Sequence, residues 1–210
     1  MRVGVVDYHA GNLRSVETAL RFLGADFFIS TEPKPLLAAD RLIFPGVGEA
    51  TSAMQTLTRS GLDEAIRAFF KSGKLVLGIC LGSQIVLSRS EEGNARCLDL
   101  IPGSARLFPK KAGYKIPHMG WNQVNPRGEP PLFQGIPANA SFYFVHSYYA
   151  EPEDERHVAA KTDYILQFPS ALVRDNLVAV QFHPEKSGKY GLKLLENFLR
   201  LKEGEDVGHA

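Results

Sequence analysis

The sequence predicts an α/β fold with a mainly parallel central sheet and an antiparallel extension added late in the chain. Three observations predict it. Up to residue 80, β-rich runs alternate with amphipathic helical patterns, as in strands joined by crossover helices. Between residues 105 and 181, short strand candidates are separated by loops rich in Pro, Gly and charge, which favours hairpin-like, antiparallel connections. The chain then closes on an amphipathic helix over residues 187–202.

Taken in order, residues 2–7 read as a buried strand and residues 8–12 as a loop ending in Asn12, a good N-cap. Leu13, Val16, Leu20 and Leu23 recur at i, i+3, i+7 and i+10, which predicts an amphipathic helix closed by Gly24. Residues 26–30 form a second strand and residues 41–44 a third, stopped by Pro45-Gly46-Val47-Gly48. A helix over about residues 62–72 leads to a fourth strand, residues 75–79, which runs into Cys80. The later strand candidates are residues 141–146, 158–161, 171–174 and 177–182. In the last helix Leu192, Leu195 and Leu199 line one stripe, with Leu194, Phe198 and Leu201 beside it. Residues 203–210 carry no apolar pattern and read as a flexible tail. Without repeat, low-complexity segment or linker, residues 1–202 read as one domain.

Composition narrows the function classes. The 210 residues hold 24 Lys+Arg against 23 Asp+Glu, a net charge of +1, which gives no electrostatic reason to expect nucleic acid or an anionic membrane as partner. Hydrophobic residues at 44% and charged residues at 22% are ordinary for a globular protein. Two cysteines cannot build a disulfide framework and fit a reducing compartment. The apolar run before Asp7 is too short for a signal peptide. The interior run over residues 75–81 falls far short of the roughly 20 residues that span a bilayer. A cytoplasmic protein is expected.

Cys80 lies in Gly78-Ile79-Cys80-Leu81-Gly82-Ser83-Gln84, between a strand and a helix. A nucleophile on such a turn needs small neighbours, and the two glycines frame it as in the G-x-S-x-G elbow. Helix N–H groups there would favour thiolate and could receive an oxyanion. A cysteine without this frame reads as a buried structural residue, which is the expectation for Cys97. A thiolate needs a base, and the base needs an orienting group. Of the six histidines, His183 ends a strand and is followed by Pro184-Glu185, so Cys80, His183 and Glu185 form a candidate triad. The remaining histidines read as surface or hydrogen-bonded core residues. Pro45-Gly46-Val47-Gly48 is either a plain turn or half of an oxyanion hole, because its glycines free the backbone N–H groups. No phosphate-loop, dinucleotide or zinc pattern is present, and neither cofactor nor metal is expected.

The cysteine elbow with His183-Pro184-Glu185 resembles the class I (triad) glutamine amidotransferases over residues 1–202. Pro45-Gly46-Val47-Gly48, Pro117-His118-Met119-Gly120-Trp121-Asn122 and Phe144-Val145-His146-Ser147-Tyr148 narrow the resemblance to glutaminase subunits of imidazole glycerol phosphate synthases. The resemblance implies a flavodoxin-like three-layer fold and a glutaminase in which Cys80 attacks the carboxamide of glutamine, His183 protonates departing ammonia and Glu185 orients His183. It further implies that Leu81 and, after a backbone rearrangement, Val47 supply oxyanion N–H groups. Gly48, Gln84, Ser147 and Tyr148 would hold glutamine. Ammonia would pass to a (β/α)₈-barrel cyclase subunit in histidine biosynthesis, with Asn12, Trp121, Tyr143 and Lys186 at the shared interface. Ser83 stands where relatives often carry Met or His. Two other readings stay open at this point: a glutaminase serving another acceptor, as in pyridoxal phosphate, nucleotide or anthranilate synthesis, and a non-catalytic docking module of the same fold.

Overall fold

A computed structural model describes residues 1–9, 13–202, 204 and 207. The first half runs β1 (Arg2–Val6), α1 (Leu13–Phe22), β2 (Asp26–Ser30), α2 (Pro33–Leu37), β3 (Arg41–Gly46), α3 (Ala50–Ser60), α4 (Leu62–Lys71) and β4 (Val76–Cys80). It continues through α5 (Leu81–Ile85), β5 (Leu87–Ser90), β6 (Ala95–Arg96), β7 (Ile101–Leu107), β8 (His118–Gln123), β9 (Asn125–Pro126), β10 (Ser141–His146) and β11 (Tyr148–Pro152). The chain ends in β12 (Val158–Asp163), β13 (Gln167–Arg174), β14 (Leu177–Val180) and α6 (Gly188–Arg200).

An eight-stranded sheet in the order β2-β1-β3-β4-β14-β13-β12-β9 forms the centre. Its first five strands are parallel and its last three antiparallel. Successive side chains of the parallel strands enter opposite layers, as period-two geometry demands. Ile43, Leu77 and Val178 pack with α1 and α6, while Leu42, Phe44, Val76, Leu177 and Ala179 pack with α2, α3 and α4. Both faces are therefore covered, which is why these strands read as continuous apolar runs. Among the described residues, no helix is long and apolar enough to cross a membrane.

Several expectations need correction. Residues 177–182, expected in the antiparallel extension, hold β14 at its seam: β14 runs antiparallel to β13 but parallel to β4. Residues 141–146 form β10 outside the main sheet, paired with β8 in a two-stranded sheet. A further four-stranded sheet, β11-β7-β5-β6, has no counterpart in the sequence reading. Its strands carry Pro102, Gly103 and scattered polar residues, which dilute the alternation. β3 continues through Pro45 into Gly46 rather than stopping before them. α3 escaped notice because Ala50 and Ala53 supply half of its buried stripe and contribute little apolar contrast. In α6 the fully buried positions are Leu194, Leu195 and Phe198, with Leu192 and Leu199 at the margins. Val207, in the segment expected to be a flexible tail, is buried against the core. The proposed cap Asn12 lies outside the described residues.

Candidate functional site

The parallel register assembles the site. β3 and β4 pair Gly46 with Cys80, and β4 and β14 pair Ile79 with Val180. Val47-Gly48, Cys80-Leu81 and residues 181–185 therefore leave the sheet together at the carboxyl ends of three adjacent strands, where open α/β sheets form their crevices.

Cys80 adopts φ 55° and ψ −105°, a conformation that costs a side-chain-bearing residue free energy and persists only where neighbours enforce it. One enforcer is the close packing of Gly82, whose place could not hold a Cβ, since that atom would lie 2.4 Å from the Phe44 carbonyl oxygen. Another is Ser83, whose hydroxyl donates to the Cys80 carbonyl at 2.7 Å. The helix expected after Cys80 is a five-residue turn, α5. Its dipole is accordingly small, and what it offers the sulfur is individual N–H groups.

His183 is pinned through its backbone. Its N–H donates to the Tyr143 carbonyl at 2.9 Å, while the Ser187 hydroxyl donates to its carbonyl and accepts from the Tyr143 N–H. Pro184 opens a 3₁₀ turn that returns Glu185 toward the ring. The Glu185 Oε1 lies 2.8 Å from His183 Nδ1, with the two side chains 0% and 1% exposed. Burial alone would lower the basicity of His183, but hydrogen bonds to Cys80 and Glu185 and the charges of both outweigh it, and its pKa is pushed up to about 10. A protonated imidazolium oriented by a carboxylate beside sulfur stabilises negative charge there and can release a proton to a leaving group.

Cys80 opens into a cavity of about 290 Å³, at the lower end of the range for small-ligand sites. Every sequence-predicted oxyanion or substrate residue lines it: Val47, Gly48, Leu81, Gln84, Ser147 and Tyr148. The sequence reading missed Glu92, whose carboxylate lines the same cavity and accepts the Ala50 N–H at 2.7 Å. Burial raises its pKa, aided by Glu49, against that hydrogen bond. No local motif marked it. Tyr8 was also missed; its buried hydroxyl finds no hydrogen-bond partner among the described residues and sits against Gly46.

His118 and His146 are core residues, but they support the cavity wall. The Tyr148 carbonyl can only accept, so His146 donates to it from Nδ1 at 2.7 Å. The neutral ring then accepts at Nε2 from His118 Nδ1, 2.9 Å away, and His118 Nε2 accepts from Asn122 at 3.2 Å. Cys97 is buried away from the cavity, its thiol pushed up to about 12 by burial. Of the expected interface residues, Trp121 and Tyr143 occupy paired positions on β8 and β10, Lys186 is exposed, and Asn12 lies outside the described residues.

Comparison with known proteins identifies the family. Residues 5–201 match the family model described as glutamine amidotransferase class-I. The chain is 46% identical over 204 residues, covering 97% of it and 98% of the relative, to "Imidazole glycerol phosphate synthase subunit HisH" of Dehalococcoides mccartyi (strain CBDB1). Identity to the protein of the same name from Chloroflexus aurantiacus is 47%, covering 96% of each chain. Among solved structures, one described as a glutamine amidotransferase superposes with a TM-score of 0.74 at 20% identity, covering 94% of this chain and 96% of that one. PurLQS from Thermotoga maritima superposes with a TM-score of 0.73 at 19% identity, covering 94% and 97%. These two likenesses speak to the fold alone.

Proposed function

Since the chain belongs to the class-I glutamine amidotransferase family, we propose that it is the glutaminase subunit of an imidazole glycerol phosphate synthase, with Cys80, His183 and Glu185 as its catalytic triad. The observation that carries this reading is the contact of a Glu185-oriented His183 with Cys80 at the end of the cavity. The near full-length relatives supply the choice of acceptor.

In this mechanism the Cys80 sulfur attacks the carboxamide carbon of glutamine. Negative charge develops on the carboxamide oxygen, where the Leu81 N–H receives it, joined by the Val47 N–H once that peptide turns inward. His183 gives its proton to the departing nitrogen and ammonia leaves. Water then adds to the thioester carbon, His183 takes a proton from it, and the carbon–sulfur bond breaks to give glutamate and free Cys80. Gly48, Gln84, Ser147 and Tyr148 hold the substrate, and the Glu92 carboxylate has the charge to meet its α-ammonium group. Ammonia passes to a (β/α)₈-barrel cyclase subunit. Exposed Met119 and Trp121, with Tyr143 and Lys186, form the docking face, whose apolar side chains are otherwise unexplained on a solvent-facing strand pair.

The deciding experiment is Cys80→Ala in complex with the cyclase. Glutamine-dependent synthesis should vanish, while synthesis from added ammonium salt persists. Retained glutamine hydrolysis would remove Cys80 from the mechanism.

A further inference from the structure

We infer that Gln181 is a further catalytic residue, whose side-chain N–H, locked in orientation by Gln84, donates to the Cys80 sulfur and stabilises its negative charge before attack and on departure from the thioester. The inference rests on the reading of Cys80 as nucleophile. It concerns a residue that carries no motif signature of its own and precedes the histidine by two positions.

The orientation of the amide follows from the network. The Gln84 Nε2 donates to the Tyr148 carbonyl at 2.8 Å, which fixes that end of Gln84 as the nitrogen. The same nitrogen lies 3.1 Å from the Gln181 side chain, so the atom it meets there must be an acceptor, Oε1. Gln181 is thereby obliged to turn its own nitrogen the other way, and that nitrogen lies 3.9 Å from Cys80 Sγ. The backbone cannot relax the arrangement, because the Gln181 N–H donates to the Ser170 carbonyl at 2.9 Å across the β13–β14 pair. Gln181 is 1% exposed and Gln84 is 4% exposed. A fixed amide dipole in a water-poor site acts on charge far more strongly than one in solvent, and it needs no reorganisation as the charge appears.

The electrostatic logic matches the chemistry on both halves of the cycle. Before attack the sulfur holds the charge that His183 cannot neutralise without taking itself out of use as the acid. During thioester hydrolysis the carbon–sulfur bond breaks with its electron pair moving to sulfur, and the waiting N–H receives that charge. The Gln84 end of the relay touches the Tyr148 carbonyl, so the group that tunes the nucleophile is anchored on the wall that holds substrate.

The test compares Gln181→Met, which keeps the volume and deletes the amide, with Gln181→Glu, which retains an acceptor for Gln84 and presents oxygen to sulfur. The full chain is assayed with the cyclase for kcat and KM, and Cys80 alkylation by iodoacetamide is followed across pH with Cys97 as internal control. Both variants should lose roughly 10- to 100-fold in kcat, the scale of one hydrogen bond to a charged group. The alkylation profile of Cys80 should move to higher pH, and Gln181→Glu should keep the wild-type KM. A merely structural role would leave the profile in place, and an unmoved profile with unchanged kcat overturns the inference. If neither variant folds, the wild type decides: the Gln181 side-chain amide NMR resonance must shift when Cys80 is alkylated, and a stationary resonance rejects the contact. Glutamine hydrolysis by Cys80→Ala would instead defeat the nucleophile assignment beneath it.

Discussion

Gly46 and Cys80 occupy paired positions on adjacent parallel strands, so the first glycine of the Pro45-Gly46-Val47-Gly48 loop lies beside the elbow that carries the sulfur. A Cβ at Gly46 would fall 1.8 Å from the Tyr8 hydroxyl oxygen and 3.2 Å from the Leu81 Cβ. The loop and the elbow are thus packed against each other with no room for a methyl group.

Gly46→Ala should therefore destabilise the chain by about 1–3 kcal/mol, the usual cost of overpacking, and reduce glutaminase activity. Tyr8→Phe alone should leave stability equal or raised, since its hydroxyl is buried without a partner among the described residues and such a group costs about 1–3 kcal/mol. Combining the two should recover part of the loss. Urea unfolding of the four proteins checks this, and additive losses in the double variant would show that the clash lies elsewhere.

The contact between His183 and Cys80 predicts non-additive kinetics. Cys80→Ala and His183→Ala should each remove nearly all glutamine hydrolysis, the double variant little more, and Glu185→Gln less than either. Losses that sum in the double variant would mean that the residues act independently.

His183 also leaves a mark on stability. Its folded pKa, pushed up to about 10 by hydrogen bonds and charges at Cys80 and Glu185 despite burial, exceeds the unfolded value of about 6.5. The folded chain binds the extra proton, so this contribution is complete below about pH 6.5 and is lost as pH rises through about 10. The difference in unfolding free energy between wild type and Glu185→Gln should shrink over that window. A difference independent of pH would place the stabilisation elsewhere.

The opposite sign holds for the buried histidine pair. Burial holds His118 down to about 4 and, outweighing the hydrogen bond to Tyr148 and aided by the charges of His118 and His183, holds His146 down to about 3. The unfolded chain takes up these protons first, near pH 6.5, so stability falls as pH falls from there toward 4, by up to roughly 1.4 kcal/mol per pH unit for each ring. Loss of the relay should release the Tyr148 wall as well. Because the folded rings stay neutral until about pH 4, glutamine KM should stay flat down to about pH 5, and a KM that rises between about pH 6.5 and 5 in the folded protein would show that the relay is protonated there and not held neutral by burial.

Trp121 is 59% exposed and Met119 is 63% exposed on the β8–β10 pair. If the cyclase covers them, Trp121→Ala should weaken the complex by about 2 kcal/mol or more, as for buried aromatic anchors, without changing the unfolding of the free chain. Calorimetric titration with the cyclase measures this directly.

What the sequence determined by itself was whatever is local. The alternation of strands and helices up to Cys80, the glycine-framed elbow, and His183-Pro184-Glu185 are short-range patterns, and each reflects a constraint acting within a few residues: backbone period, steric room, a rigid proline. The tertiary structure decided what depends on register. That β14 runs parallel beside β4, that Gln181 meets Cys80 across 101 positions of chain, and that His118 donates a hydrogen bond to His146 between β8 and β10 all follow from pairings whose partners are distant in sequence. Those pairings are selected by burial of both sheet faces at once, a property of the assembled layers that no single segment carries.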